Sequence, residues 1–405
     1  MLIKKICMCG VILLLTAAIG TAMELNDKEK LGKSIFFDKD LSIMENQACA
    51  SCHAPVVGWT GPDSNVNSHG AVYEGSIPGR FGNRKPPSSG YATQSPIFNF
   101  ADPLFIGGNF WDGRATGEKL GNPAADQAQG PFLNPAEQAL PDSSCVVFKV
   151  STSDYKKLYA RVWGNDIFSI TWPNDIKNVC KTEGTMVSLS DEDRTKSNTA
   201  YDNIALSIAA YEASREVNRF TSKYDYYIKG KAKLSKQEIK GLDLFQGKGK
   251  CNNCHISSGK NALFTYDNLG IPQNPENPAG VAPDFIDLGL GGFLRTRSEW
   301  SDDATINDGK HKVPTLRNVD LRPNPGFVKA YGHNGYFKSL EEIVHFYNTR
   351  DVPGEGWKGK PWPQAEVSAN VNKVELGDLG LTHDEESDLV AFLKTLSDGY
   401  NPERR

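Results

Sequence analysis

The chain has few methionines and no large excess of charge. Five methionines occur in 405 residues, and none follows Met186. The formal net charge is −4 at pH 7, which argues against binding to nucleic acid. Beyond residue 22, no stretch is apolar over the length that a membrane-spanning helix needs, so we expect no membrane span.

The first 22 residues follow the pattern of a secretory signal peptide. Lys4 and Lys5 precede an apolar run over 11–19, and Gly20-Thr21-Ala22 places small residues before a cleavage point. We therefore predict a signal peptide over 1–22 and a mature protein in the periplasm. Six of the eight cysteines lie beyond it.

Four of these cysteines belong to two C-x-x-C-H motifs, Cys49-Ala50-Ser51-Cys52-His53 and Cys251-Asn252-Asn253-Cys254-His255. This spacing is typical of c-type haem attachment, in which two thiols bind the haem and the histidine ligates its iron. Two copies predict two covalently bound haems. The alternatives are a redox-active cysteine pair or a zinc site, but neither motif has further zinc ligands at close spacing.

The remaining two cysteines are Cys145 and Cys180. In an oxidising compartment, a leftover pair of this kind favours a structural disulfide. Two buried free thiols are the alternative.

Apolar residues at helical spacing predict helices over 25–37, 153–163 and 199–229. Capping boxes at Ser235 and Thr382 predict the starts of two more, and a further helix starts at Ser339. Long irregular stretches follow each C-x-x-C-H motif. We therefore expect a mainly α fold of two cytochrome c-like haem domains, over 23–230 and 231–405, with long irregular loops.

The residue on the far side of each iron decides between electron transfer and catalysis. No methionine follows the second motif, so its haem lacks a methionine ligand or takes Met186 from the other domain. The residue types leave the tyrosines and His311, His333, His345 and His383 as alternatives. Glu137 is the candidate for moving a proton during peroxide cleavage, and a solvated loop glutamate is the alternative.

Several short motifs occur in an order that resembles the bacterial dihaem cytochrome c peroxidase / MauG family over nearly all of the mature chain. They are Leu31-Gly32-Lys33 with Phe36-Phe37, the first C-x-x-C-H, F-W-D-G-R-A at 110–115, D-Q-A at 126–128, G-P-F-L-N-P-A-E at 130–137, the second C-x-x-C-H, V-P-T-L-R-N-V at 313–319, and the H-N-G turn at 333–335 with its L-E-E helix.

This resemblance implies a role for each matching position. The haem at His53 would react with hydrogen peroxide, and the haem at His255 would store or relay oxidising equivalents. Trp111 would carry electrons between the haems, although a core aromatic is the alternative. Glu137 matches the distal glutamate, and distal-pocket positions fall on Gln127 and Pro131.

The resemblance also places the second haem's axial ligand at Tyr347, fourteen residues after His333. Conventional members of the family have methionine there, and MauG-like members have tyrosine. Tyr347 therefore assigns the chain to the MauG-like branch. The alternative is a core aromatic on an amphipathic helix.

Two family features match less well. An inter-haem calcium site would use an asparagine where this chain has Lys85, so Asn83 is the candidate substitute, with carbonyl groups near Lys329 and Tyr331. A loop histidine caps the first haem in conventional peroxidases, and His69 is the candidate here, with an exposed loop histidine as the alternative.

Three functions remain in competition. The first is a MauG-like oxidase that uses hydrogen peroxide to modify a periplasmic partner protein. The second is a cytochrome c peroxidase that detoxifies hydrogen peroxide with electrons from a small cytochrome or cupredoxin. The third is a dihaem electron carrier without enzymatic activity. Tyr347 favours the first, and Glu137 argues against the third.

Overall fold

The computed structural model describes residues 24–255, 264–280, 282 and 284–403. Helices dominate these ranges, and the strands form three antiparallel two-stranded sheets, β1–β2, β3–β4 and β5–β6, as the mainly α prediction requires. The helices are α1 (Asp27–Phe36), α2 (Cys49–Cys52), α3 (Ser64–Ser68), α4 (Pro123–Leu133), α5 (Ser143–Thr152), α6 (Lys156–Trp163), α7 (Ile176–Val179), α8 (Asp191–Ala213), α9 (Lys223–Ile228), α10 (Lys236–Gln246), α11 (Gly289–Leu294), α12 (Leu340–Thr349) and α13 (His383–Lys394); the strands are β1 (Asn99–Ala101), β2 (Leu104–Ile106), β3 (Tyr266–Asp267), β4 (His311–Lys312), β5 (Gly356–Trp357) and β6 (Lys360–Pro361).

The first half of the chain is built on the crossing of α1 and α8. Helix α1 starts with a capping box between Asn26 and Glu29. At the crossing, a Cβ on Gly32 would run into the Ser207 carbonyl group, so only glycine lets the two backbones approach this closely. Phe36, one turn later, is fully buried and packs edge-on against Tyr211.

The second half repeats this arrangement with α10 and α13. Ser235 and Glu238 form the predicted capping box at the start of α10. A Cβ on Gly241 would run into the Asp388 carbonyl group. Phe245, again one turn later, packs edge-on against Phe392 with ring centroids 5.2 Å apart. The same helix pair therefore occurs in both halves.

Each half has its own hydrophobic core, one with members from Leu31 to Val217 and the other from Tyr224 to Leu393. Tyr224 belongs to α9, so this helix packs with the second core although it precedes the predicted link at Gly230-Lys231. The link itself stays a prediction.

A disulfide joins Cys145 and Cys180 with the Cα atoms 5.4 Å apart, which confirms the predicted pairing. Both residues are buried in the first core.

The loops that follow the first motif contact the second half of the chain. Arg84 lies between the carboxylates of Asp112 and Asp287 and makes 2.6 Å contacts to both. All three side chains are buried or nearly so, which ties the two halves at a shared ion cluster. Across the residues that the structure describes, no helix has the length and apolarity needed to cross a bilayer.

Candidate active site

The first C-x-x-C-H motif forms a single helical turn, α2. The Ala48 N–H donates to Ser51 Oγ at 3.0 Å, and the His53 N–H donates to the Cys49 carbonyl at 3.0 Å. Both thiols are free. This turn fixes the positions of the two cysteines relative to the histidine.

The His53 ring is oriented by backbone carbonyl groups. Its Nδ1–H donates to the Trp59 carbonyl at 3.3 Å, and the Pro87 carbonyl also acts on the ring. Burial lowers the pKa of His53 to about 4, so the imidazole is neutral. A neutral ring with Nδ1 engaged leaves Nε2 as the ligand atom, which is how metal-binding histidines are held.

A cavity of about 690 Å³ lies beside His53. Gln127, Trp111 and Glu212 are among the residues in its wall. The structure thus brings two of the predicted residues, Gln127 and Trp111, to the first motif. The other residues that line this cavity come from the loops over 87–111, which precede α4, and from residues 264 and 312–315 of the second half.

Glu137 lies in the turn after α4 and is not in the lining of that cavity. Its Oε1 accepts a 2.6 Å hydrogen bond from Asn134 Nδ2. Burial raises the pKa of the Glu137 carboxyl, against the opposing effects of Asn134 and Arg114. Burial raises the pKa of the Cys52 thiol to about 12, and the charge of Glu137 is the second cause of this shift. The carboxyl therefore lies close to the thiols of the first motif.

Pro131 also lies outside the lining of the first cavity. It sits in the last part of α4, where its carbonyl accepts the Gln138 N–H at 3.0 Å. Its position fixes the turn that carries Glu137.

The second motif forms a single 3₁₀ turn over Cys251–Asn253. The His255 N–H donates to the Cys251 carbonyl at 2.9 Å, and both cysteines are free thiols. Burial lowers the pKa of His255 to about 4, and the Pro314 carbonyl interacts with its ring. This histidine is also neutral and oriented by a proline carbonyl.

Two adjoining cavities, of about 890 and 1050 Å³, lie at the second motif. Cys251, His255, Trp111 and Tyr347 line both of them. Tyr347 projects from α12, and burial raises the pKa of its phenol far above the ordinary value, with the two motif cysteines adding to the shift. Only a cation at the phenol oxygen would make this side chain ionise at neutral pH.

The methionines of the described residues lie away from these cavities. Met44 is 59% exposed and Met186 is 78% exposed, and both belong to the first half. Met23 lies outside the described residues. Methionine is therefore not placed at the second motif.

Trp111 lies in the walls of all three cavities. Its Nε1–H donates to the Lys85 carbonyl at 2.8 Å, and its own carbonyl accepts the Lys312 N–H at 2.7 Å. The indole is 8% exposed. It is the side chain that separates the cavity at the first motif from those at the second.

Two of the histidines considered as ligands lie in the wall of the 890 Å³ cavity. The rings of His311 and His333 stack with centroids 3.5 Å apart, and each Nε2 is buried without a hydrogen-bond partner in the described structure. Asp287 and Glu366 lie 3.4 and 3.5 Å from these nitrogens.

The other two histidines are engaged elsewhere. His345 Nδ1 lies 2.9 Å from Glu386, and His383 is the first, exposed residue of α13.

His69 is exposed and does not line the cavity at His53. Its Nδ1 lies 2.8 Å from the Asn65 carbonyl oxygen, and its own carbonyl accepts from Lys338 Nζ. Because the ring is held at the surface beside α3, this conformation does not support the prediction of His69 as a ligand.

The residues predicted for calcium make hydrogen bonds within the protein, and a calcium ion at them stays a prediction. Asn83 is exposed, and its carbonyl accepts from Asn277 Nδ2 at 2.8 Å. The Tyr331 N–H donates to the Phe337 carbonyl at 2.8 Å. Lys329 directs its ammonium group into the protein.

Sequence reasoning missed two buried charged residues of the site. Glu212, on α8, lines the cavity at His53, and burial raises the pKa of its carboxyl to about 8. Lys312 lines cavities at both motifs, and burial lowers the pKa of its ammonium to about 7. Glu212 lies inside a helical pattern that reads as core, and Lys312 lies next to V-P-T-L-R-N-V, a position that could have drawn attention to it.

The donor set fits one haem at each motif. Each motif offers two free thiols and a neutral, oriented imidazole beside a largely apolar cavity. These are the groups that c-type haem attachment needs.

Comparison with known proteins agrees with this site. The family profile described as di-haem cytochrome c peroxidase matches residues 26–233. The chain is 31% identical to the methylamine utilization protein MauG of Paracoccus denitrificans, over 98% of this chain and 96% of that protein. It is 26% identical to the cytochrome c551 peroxidase of Nitrosomonas europaea, over 92% of this chain and 80% of that protein.

A solved structure has the same fold. The diheme peroxidase BthA from Burkholderia thailandensis matches with a TM-score of 0.72 and 28% identity, over 92% of this chain and 86% of that chain. Relatives named as peroxidases exclude the third hypothesis, an electron carrier without activity. The chain therefore belongs to the di-haem cytochrome c peroxidase family, in its MauG-like branch, and is a haem-dependent oxidoreductase that works with two haems.

Proposed function

We propose that this protein is a periplasmic, MauG-like enzyme that reacts with hydrogen peroxide at its N-terminal haem and oxidises a partner protein. The signal-peptide pattern supports the compartment. Bound covalently at Cys49, Cys52, Cys251 and Cys254, the two haems supply the redox chemistry by which peroxide is reduced to water and electrons are taken from the partner.

Tyr347 carries this proposal. It shares both second-motif cavities with His255, and no methionine of the described residues comes near them. A phenolate is a harder, more electron-rich ligand than a thioether, so it stabilises the oxidised state of an iron. Tyr347 as the ligand of a second haem would favour storage of an oxidising equivalent there over electron transfer at high potential.

A first haem that reacts with peroxide would need an open position and a proton acceptor. The exposed ring of His69, held at the Asn65 carbonyl, supports a first haem without a histidine cap. Glu137 is the acid/base group: burial raises the pKa of its carboxyl, which favours the uptake and return of a proton by this group. Its role is to move the proton between the two peroxide oxygens.

Trp111 is proposed to connect the two haems. Its indole lies in the walls of the cavities of both motifs. The hydrogen bond from its Nε1–H to the Lys85 carbonyl holds the ring in one orientation. A fixed, polarizable ring at this position gives a short path for electrons.

A conventional cytochrome c peroxidase is the second candidate. Its support is the similarity to a protein named cytochrome c551 peroxidase over 92% of this chain. In that case the electrons would come from a small cytochrome or cupredoxin, and a loop histidine would close the first haem until the enzyme is reduced.

Low-temperature EPR of the oxidised protein as purified distinguishes the two candidates. We expect one high-spin signal, from an open first haem, and one low-spin signal, from the second. Two low-spin signals would contradict the proposal and favour the conventional peroxidase.

The ligand itself is tested with Tyr347→Phe. Loss of the phenol oxygen should convert the second haem's low-spin signal to another species, while the first haem's signal stays. Tyr336→Phe is the matched control, because Tyr336 is a half-buried tyrosine of the same half that packs on Phe337 outside the cavities. An unchanged spectrum in Tyr347→Phe would remove this residue as the ligand.

A further inference from the structure

A buried lysine joins the two halves of the molecule without a carboxylate partner. The Lys329 side chain is 5% exposed, and its Nζ donates to the carbonyl groups of Val57 at 2.8 Å, Asn318 at 2.6 Å and Leu321 at 3.1 Å. Val57 belongs to the first half and the others to the second. An ammonium group has three N–H donors, so three carbonyl oxygens satisfy it completely.

The charges around Lys329 do not offer it an ion pair. The carboxylate of Asp320, whose charge acts on Lys329, is engaged by Arg322. Burial lowers the pKa of Lys329 well below its ordinary value, and the Lys85 ammonium lowers it further. Three carbonyl oxygens require three N–H donors, which only the charged form of the side chain has, so these contacts favour the ammonium against the cost of burial. The arrangement is a cation held by backbone oxygens.

A second buried ammonium lies in the same region. Lys85 Nζ donates to Thr60 Oγ1 and to the Pro86 carbonyl, both at 3.0 Å. Lys85 is the residue that replaces the expected asparagine. Both lysines therefore direct cations into the joint between the halves.

Calcium does not fit this joint. Calcium needs six to eight oxygen ligands, usually with carboxylates among them. Here the ion would meet two ammonium groups, and the candidate Asn83 is exposed at the surface. The two groups of acids, histidines and cysteines close enough to hold a metal in the described residues lie elsewhere, around Asp287 and around Cys254.

We infer that the Lys329 ammonium is the resident cation of the joint between the two haem domains, so that this protein needs no calcium ion there. The ammonium binds three carbonyl oxygens from segments of both halves. It thereby holds these segments together, as a bound ion would. This inference goes beyond the proposed function and holds whichever partner the enzyme oxidises.

The three carbonyl groups connect Lys329 to both haem sites. Val57 lies between His53 and Trp59, whose carbonyl orients the His53 ring. Asn318 follows the segment of Pro314, whose carbonyl acts on His255. Lys329 is therefore a positioning residue for both proximal histidines.

Gly58 shows how closely the segments meet at this point. Its φ is +76°, and a Cβ there would lie 2.7 Å from Asn318 Cβ and 3.3 Å from Lys329 Nζ. The left-handed backbone and the lack of space both require glycine. A side chain at Gly58 would press on Asn318 and on the Lys329 ammonium.

The first experiment measures metal in the purified holoprotein by mass spectrometry and follows both haem EPR signals during EGTA treatment and calcium addition. We expect no retained calcium and no change in either signal. One calcium per chain, whose removal by EGTA changes the haem signals, would overturn the inference.

The second experiment replaces Lys329 with methionine, a neutral side chain of similar length. We expect Lys329→Met to shift the EPR signals of both haems, because both proximal histidines lose their support. Lys231→Met is the control, since Lys231 is an exposed lysine near the link. Parent-like signals in Lys329→Met would contradict the inference.

If Lys329→Met does not fold, the metal measurement and the EGTA treatment of the parent protein decide the inference by themselves. These readouts are separate from the test of the proposed function, because a high-spin and low-spin pair in the parent does not depend on what occupies the joint.

Discussion

The two halves of this molecule share one frame, which consists of a pair of crossing helices and a C-x-x-C-H turn. They differ in the residues that would face the haem. In both, a glycine lets the first helix press against the last, at Gly32 and at Gly241. Both also have a C-x-x-C-H turn whose histidine is buried, neutral and oriented by a proline carbonyl. The repeated parts are those that hold a haem.

The parts that differ surround the cavities. The first half places two carboxyls with raised pKa values near its motif, Glu137 and Glu212. The second half has Tyr347 and the stacked pair of His311 and His333. The frame thus supplies the haem-binding groups in both halves, while loop and helix residues outside the frame make the two sites differ. Under the proposed function, one site suits peroxide and the other suits holding an oxidising equivalent.

Glu137→Gln should remove the catalytic asymmetry between the halves. The amide keeps the size of the side chain but cannot accept the proton, so the rate of reaction with hydrogen peroxide should fall by about 10²–10⁴-fold. Stopped-flow absorbance of the oxidised protein mixed with peroxide measures this rate.

Glu183→Gln is the control for this substitution, since Glu183 is a surface residue paired with Arg80. If Glu137→Gln reacts at the parent rate, proton transfer is not the role of this carboxyl. EPR of the variant at rest should match the parent, which shows that haem binding is unaffected.

The frame was predictable because it depends on local patterns. The capping boxes at Ser235 and Thr382 start α10 and α13 as predicted, and each C-x-x-C-H motif fixes its own turn. The disulfide followed from counting cysteines. Each of these features is decided within a few residues or by a single chemical rule.

One predicted helix was partly wrong. The pattern over 199–229 is interrupted in the structure: α8 starts earlier, after the cap Ser190, and ends at Ala213, and α9 starts anew after the cap Ser222. Asn218 lies between them and donates to the Glu212 carbonyl. The apolar periodicity of the sequence continues through the break between α8 and α9. It therefore did not show where polar side chains stabilise a turn and end α8.

The contacts between the halves could not be predicted from the sequence. Lys329 satisfies its ammonium with Val57, far away in the chain, and His333 stacks on His311. These partners lie in loops without periodicity, where no local rule indicates which residues meet. Residue types suggested candidates there, and only the fold decided among them.

Gly32→Ala and Gly241→Ala test whether the frame carries equal weight in both halves. The added methyl group would run into the Ser207 carbonyl in the first case and the Asp388 carbonyl in the second. We expect each substitution to lower the free energy of unfolding by about 3 kcal/mol.

Thermal unfolding, followed by circular dichroism and by haem absorbance, measures both glycine variants. Gly292→Ala is the control, because a Cβ there would meet its nearest neighbour at an ordinary 3.5 Å. A change in only one of the two variants would show that the shared frame is not equally tight in the two halves.

Asp142→Asn makes the smallest expected change and is confined to the first half. Asp142 accepts hydrogen bonds from Arg194 at 2.8 and 3.1 Å and from the Ser144 and Val187 N–H groups. Burial raises the pKa of Asp142, but Arg194 and these N–H groups outweigh burial and hold it below the ordinary value. The substitution should cost about 2 kcal/mol at neutral pH.

The sign of the pH dependence of Asp142→Asn follows from that lowered pKa. A carboxyl whose pKa is lower in the folded state stabilises the fold above the unfolded pKa of about 3.9, and this contribution is lost as pH falls through the folded pKa. The gap in melting temperature between parent and variant should therefore be full at pH 7 and shrink below about pH 4. Asp225→Asn, at the Arg317 ion pair of the second half, should show the same trend, because the pKa of Asp225 is also lowered. A gap that stays constant with pH in either half would mean that the aspartate acts through its shape rather than through its charge.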